Sequence, residues 1–136
     1  MDAVDQVLAL NRLTFDTGDP YNSETALRTG LEAGTLVLLT EPVRPSIRCP
    51  LRAYLILRID KRVLRIERLA VTVAHRNAGL GGKLLTRGRK WRDRYLGASV
   101  PIWTYISTDN LASINAHVHS GFGLEAISGD WCWVMG

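Results

Sequence analysis

Long apolar runs are missing from this chain, and none approaches the roughly 18 residues expected of a membrane-crossing helix. Cysteine is scarce, with two in 136 residues. Cys49 and Cys132 lie far apart without metal-type spacing, so they read as reduced thiols, with a disulfide as the open alternative. Internal repeats and low-complexity tracts are absent. Proline is sparse and concentrated: three of five fall in EPVRPSIRCP at 41–50, which reads as an exposed loop between strands. The opening MDAVDQV is acidic where a signal peptide is basic, so a cytoplasmic protein is expected. The length suits one domain, large enough for a real core and too short for a second. Seventeen Lys and Arg against thirteen Asp and Glu leave a formal charge of +4.

The order of elements is mixed α/β. Residues 2–13 and 23–33 read as helices, the second with Asn22 or Ser23 as cap. Residues 35–40, 53–59, 63–73 and 102–107 are rich in Val, Ile, Leu and aromatics and read as strands. Asp60-Lys61-Arg62 is a short polar turn that makes two of them an antiparallel hairpin. Residues 79–95 and 110–120 read as helices, and 124–134 as one or two closing strands.

Between the apolar segment 66–73 and the helix that carries Leu84 stands Arg76-Asn77-Ala78-Gly79-Leu80-Gly81. Strand, glycine-rich turn and helix together hold phosphate: glycine lets the backbone approach an anion, and the free N–H groups and positive dipole end of the helix face it. A Walker loop fails here, because Gly82-Lys83 is followed by Leu84 and Asn77 stands where its first glycine belongs. A dinucleotide fingerprint fails as well, since the sixth position from Gly79 is Leu84. Arg-x-x-Gly-x-Gly remains.

That spacing resembles the acetyl-CoA signature of the GNAT superfamily of N-acetyltransferases. RIERLAVTVAHRNAGLGGKLL at 65–85 is similar to the family's central strand, turn and cofactor helix. NLASINAHVHSGF at 110–122 is similar to its late block of Asn, small residues, aromatic or His, and Gly-Phe. LALNRLTF at 8–15, Pro20-Tyr21 and TLVLLT at 35–40 resemble the branch that acetylates protein N-termini. The resemblance implies a mainly antiparallel central sheet with flanking helices. The family's usual first strand has no counterpart, which leaves the sheet edge and a homodimer open.

The resemblance also implies site residues. Acetyl-CoA would be the acyl donor, its pyrophosphate held by Arg76, Asn77, Ala78, Gly79, Leu80, Gly81, Gly82 and Lys83, and its pantetheine arm by the backbone of Leu69, Ala70 and Val71. Asn110 caps its helix by sequence and, by resemblance, hydrogen-bonds the arm. His117 occupies the position where relatives most often have a tyrosine beside the leaving thiolate, which implies a leaving-group acid; without that frame a lone helix histidine is structural. Glu67 is a candidate base for the amine proton, with an ordinary charged strand residue as the equal alternative. Tyr105 stands where the N-terminal branch commonly has a glutamate; this departs from that branch, and Tyr105 is a candidate for shaping the acceptor pocket or relaying a proton. Trp131 and Trp133 alternate on the last strand and read as packing one face of the sheet, with an acceptor slot as the alternative. No metal is implied.

Lys83, Arg87, Lys90 and Arg94 recur on one face of the cofactor helix. Each alone reads as a solvated charge, and together they would attract anionic CoA. Nucleic acid is not expected, since no recognition helix, zinc finger or stacking platform accompanies the charge. The expectation is an N-acyltransferase that moves an acetyl group to a primary amine of a small molecule or a protein N-terminus or lysine. A catalytically silent CoA-binding interaction module is the alternative.

Overall fold

A computed structural model describes residues 3–14, 23–42, 51–76 and 78–136. Asn22 as a cap, Asn77, Cys49, and the loop segments 16–22 and 43–50 lie outside these residues. The chain forms α1 (Ala3–Thr14), α2 (Glu24–Ala33), β1 (Leu36–Pro42), β2 (Leu51–Asp60), β3 (Val63–Val71), α3 (Leu80–Tyr95), β4 (Ile102–Ser107), α4 (Leu111–His119), β5 (Gly123–Ser128) and β6 (Trp131–Met135). The six strands make one sheet in the order β1-β2-β3-β4-β6-β5, antiparallel except where β3 meets β4. The mixed, mainly antiparallel sheet with flanking helices matches the expected architecture.

Helices cover both faces of β2, so its run Ala53 to Leu57 is buried throughout rather than alternately. Leu55 and Leu57 turn toward α3, where they meet Leu64, Ile66, Leu84, Leu85, Ile102 and Val134. Tyr54 and Ile56 turn the other way, toward Val4, Val7 and Leu8 of α1 and Leu27 of α2. The Tyr54 hydroxyl donates to Asn11 Oδ1 inside that second cluster, where both residues are fully buried, so each gives the other a buried hydrogen-bond partner. Ser23 caps α2, its hydroxyl accepting from the Ala26 amide.

β3 ends at Val71, two residues before the sequence reading ended it. Val73–His75 is a 3-10 turn, and Thr72 Oγ1 lies 2.7 Å from His75 Nδ1, a local bond that competes with strand pairing. A bulge interrupts β3 earlier: Leu57 pairs with Ile66 while its neighbour Ile56 pairs with Arg68, which leaves Glu67 as the extra residue. β3 and β4 share only the pairs Leu64↔Ile102 and Arg65↔Trp103. Beyond them the two parallel strands part, and the sheet is forked.

Candidate functional site

A cleft of about 890 Å³ opens along that fork on the α3 side of the sheet. Leu69, Ala70 and Val71 form one wall, the turn and first residues of α3 close one end, and Asn110, Ala112, Ser113, Ala116, His119 and Ser120 from α4 and its flanks supply the opposite wall. Because β4 has left β3, the backbone of residues 67–71 faces the fork with no strand ladder on that side among the described residues. An extended amide chain could pair there as a strand would.

Gly79 caps α3 with φ 76° and ψ 11°, in the left-handed region where a side chain is strained, and it makes no side-chain cap bond. The first-turn amides of Leu80, Gly81 and Gly82 therefore meet the cleft with no cap across them. Small residues bring α4 close to this turn. A Cβ on Gly82 would sit 3.2 Å from Ser120 Oγ, and one on Gly81 would sit 3.6 Å from Leu69 and 3.9 Å from Ala116. Arg76 lines the cleft while its Nε donates to the Val71 carbonyl at 3.3 Å, tying the turn to the end of β3. Of the cradle residues, Arg76, Gly79, Leu80, Gly81, Gly82 and Lys83 line the cleft; Ala78 is exposed beside them.

The basic face of α3 is engaged in the fold. Glu41, at the end of β1, has only 8% of its side chain exposed and receives Lys83 Nζ at 3.2 Å and Arg87 Nη1 at 2.9 Å, with Arg52 Nη2 at 3.7 Å. Arg87 also donates to the Thr40 carbonyl at 2.7 Å. Burial pushes the Glu41 carboxyl up, but the hydrogen bonds and charges of Lys83 and Arg87 outweigh it and hold the group below its ordinary value. Arg94 stacks on Tyr95 at 5.3 Å.

Asn110 both caps α4, accepting from the Ser113 amide at 3.1 Å, and lines the cleft. The three catalytic candidates are not brought together on the cleft wall. His117 is 2% exposed and packs edge-on against Phe122 at 5.3 Å. Its Nδ1 is 2.7 Å from the Ser113 carbonyl, which only accepts, so Nδ1 carries a hydrogen and Nε2 of the neutral ring is an acceptor without a partner. Burial lowers its pKa below the usual histidine value, against the Ser113 bond that favours charge. Glu67 and Tyr105 border the fork from the opposite face of the sheet. Glu67 Oε1 holds Arg58 Nε at 2.9 Å and Arg65 Nε at 3.7 Å, and Tyr105 is 44% exposed.

Sequence reasoning singled out none of His75, Thr86, Ala112, Ser113, Ala116 and Ser120, which line the cleft together with His119. The signal for most of them was present in α4: positions 112, 113, 116, 119 and 120 recur at helical spacing and are mainly small. The tryptophans also differ from the reading that they pack the sheet. Trp131 is 54% and Trp133 36% exposed. Their face lies beside the part of the sheet that α1 and α2 cover, over β4 and β6, where among the described residues no helix lies. Among the described residues no three His, Cys, Asp or Glu cluster to hold a metal ion, and no helix is long and apolar enough to cross a membrane.

A comparison with curated proteins found no match. Solved structures that share the fold include Arabidopsis thaliana NAA60 in complex with acetyl-CoA, at 13% identity and TM-score 0.78, covering 98% of this chain and 92% of that one. Spermidine N-acetyltransferase from Vibrio cholerae in complex with CoA and spermine matches at 15% identity and TM-score 0.74, covering 100% and 91%. The PaiA N-acetyltransferase from Thermoplasma acidophilum in complex with coenzyme A matches at 12% and 0.73, covering 97% and 91%. At the level of sequence, residues 33–122, which run from the end of α2 to Phe122 and contain the whole cleft, match the model described as Acetyltransferase (GNAT) family. The forked sheet and its glycine-capped helix are thus the frame of a known family, and this chain belongs to the GNAT acetyltransferases.

Proposed function

We propose that the chain transfers an acetyl group from acetyl-CoA to a primary amine. The observation that carries this reading is the continuity of one cleft, from an uncapped helix start that suits a pyrophosphate to an unpaired strand edge that suits the amides of pantetheine. The fit is polar where the donor is polar: the first-turn amides of α3 with Arg76 and Lys83 at the anionic end, and the backbone of Leu69, Ala70 and Val71 along the arm.

The fork leads from the cleft toward Glu67 and Tyr105. An acceptor approaching from that face would meet the thioester carbonyl with its neutral nitrogen. The C–N bond forms, nitrogen gives up a proton, the C–S bond breaks and the thiolate takes a proton, which yields an acetamide and free CoA. Glu67 and Tyr105 are candidates on the nitrogen side. Leaving-group protonation by His117 has the weaker geometric support, because its neutral form offers Nε2 as an acceptor.

The separation of all three candidates from the cleft wall favours one second reading, a CoA-binding module without turnover. Release of CoA thiol with a panel of small primary amines, lysine peptides and free peptide N-termini separates the two. Amine-dependent release supports the transferase. CoA binding measured calorimetrically, with no release on any acceptor, supports the silent module.

A further inference from the structure

The α4 helix serves two faces. One lines the cleft through Ala112, Ser113, Ala116 and His119. The other is pinned by His117, whose buried ring packs edge-on against Phe122 and stays off the cleft wall. Ser113 belongs to both: it lines the cleft, its amide donates to the Asn110 cap, and its carbonyl takes the Nδ1 hydrogen of His117 at 2.7 Å. A displacement of His117 is therefore felt at the cleft wall.

This packing suits only the neutral ring. A second proton would go to Nε2, which is buried with no hydrogen-bond partner among the described residues, and a charged donor buried without an acceptor is unfavourable. No counter-ion stands beside it either. α4 packs against α3 and β5. The charge that α3 brings to this packing is a cation, Arg89, whose guanidinium lies 5.9 Å from the Phe122 ring centroid and donates to the Ser120 carbonyl at 2.7 Å. Of the other α3 charges, Lys83 and Arg87 go to Glu41, Arg92 and Asp93 pair with each other, and Lys90 and Arg94 are exposed. Glu125, the one charged residue of β5, is exposed, and so is Asp109 ahead of α4.

We infer that His117 is a proton-sensitive latch on the CoA cleft: protonation of its ring and the closed α4 wall exclude each other, so a proton at His117 and CoA in the cleft oppose one another. The inference rests on the reading of the cleft as a CoA site. The imidazolium is accommodated when α4 lifts from Phe122 and lets water reach Nε2, and that motion takes Ser113 and Ala116 out of the wall. By reciprocity, CoA that holds the wall closed makes the ring harder to protonate. His75 and His119 also line the cleft, but protons there add positive charge near the phosphates and act in the opposite sense.

The test titrates CoA calorimetrically into the parent and the His117→Phe protein at about pH 7.5 and about pH 5.5, on either side of the ordinary histidine range. In parallel, the His117 ring of the parent is titrated by NMR with and without CoA. Relative to the variant, the parent should lose roughly threefold or more in CoA affinity at the lower pH, with about tenfold per pH unit as the ceiling for one proton. CoA should lower the apparent pKa of the ring by about half a unit or more, the same coupling seen from the proton's side. The ring titration needs no variant, so it decides the question even where His117→Phe does not fold. An equal pH response in parent and variant, or a ring titration that CoA leaves unmoved or shifts upward, would overturn the latch and leave CoA in the cleft. No binding of CoA to the parent at either pH would overturn the latch together with the reading of the cleft on which it rests.

Discussion

Thr104 Oγ1 donates to the Ile66 carbonyl at 2.9 Å, one residue beyond the last backbone pair between β4 and β3. Both residues are buried, so the bond is a side-chain stitch at the root of the fork: it satisfies a carbonyl that the departing strand abandons. The bulge at Glu67 follows at once, and the strands separate.

Thr104→Val keeps the shape and removes the donor, leaving the Ile66 carbonyl buried and unpaired. A loss of about 1–3 kcal/mol is expected, read from chemical denaturation, whereas Thr104→Ser should keep most of the stability. If the stitch also fixes the opening of the fork, thiol release falls further in the Val than in the Ser variant after both are assayed well below their melting temperatures. Equal stability of the Val variant and the parent would mean that another donor reaches Ile66.

The glycines of the turn separate conformation from space. Gly79 has open space around a would-be Cβ but a positive φ, so Gly79→Ala should cost about 1–2 kcal/mol through backbone strain. Gly81 lies in ordinary helical geometry, and a Cβ there meets Leu69 and Ala116 at van der Waals distance. Gly81→Ala should therefore fold and bind CoA nearly as the parent does, while Gly81→Val must send a methyl group into the cleft and weaken CoA binding by roughly tenfold or more. Calorimetry on the three variants checks the order; parental affinity in a folded Gly81→Val protein would remove CoA from this end of the cleft.

The strand, turn and helix at 66–84 were legible because apolar residues, glycines and a new helical period follow one another without a gap. The bulge left a fainter trace. Alternation along Leu64-Arg65-Ile66 breaks at Glu67-Arg68, two polar residues in succession, which is how an extra strand residue appears in sequence. Glu41 could not be read at all: its cations at 83 and 87 come from another element, and no local pattern joins them. Trp131 and Trp133 alternate equally well on a covered or an uncovered face. Only the placement of α1 and α2 over β1 and β2 decides that they are exposed.

Lys83 and Arg87 are expected to serve the fold more than the stripe pattern suggests. Glu41→Gln leaves their cations without a charged partner and should destabilise by about 1–2 kcal/mol, a figure reduced because both cations are substantially exposed. The folded carboxyl titrates below its ordinary range, so its contribution is complete above the unfolded pKa of about 4.5 and is lost as pH falls through the folded value. A double-mutant cycle of Glu41→Gln with Arg87→Met, followed by melting temperature at pH 7 and below pH 4, measures the coupling. A coupling energy of zero at pH 7 would return both cations to the role of a solvated, CoA-attracting face.

His117 titrates in the opposite chemical sense but with the same pH direction. It is neutral in the fold, burial holds its pKa below the usual value near 6.5, and the unfolded chain therefore binds more protons in the acidic range. Its part of the stability is fully present above about pH 6.5 and is lost as pH falls through the folded pKa. His117→Phe fits the ring position against Phe122 and has nothing to protonate, so the decline in melting temperature between pH 7 and pH 5 should be shallower than in the parent. The same variant tests chemistry once an acceptor is known. With Nδ1 bound to the Ser113 carbonyl and Nε2 a bare acceptor away from the cleft, kcat should stay within about tenfold of the parent and its high-pH limb should not move. A fall of roughly 10² to 10⁴-fold with unchanged CoA affinity would show that His117 does reach the leaving thiolate, because an interaction made only as the carbon–sulfur bond breaks lowers kcat without weakening the ground state.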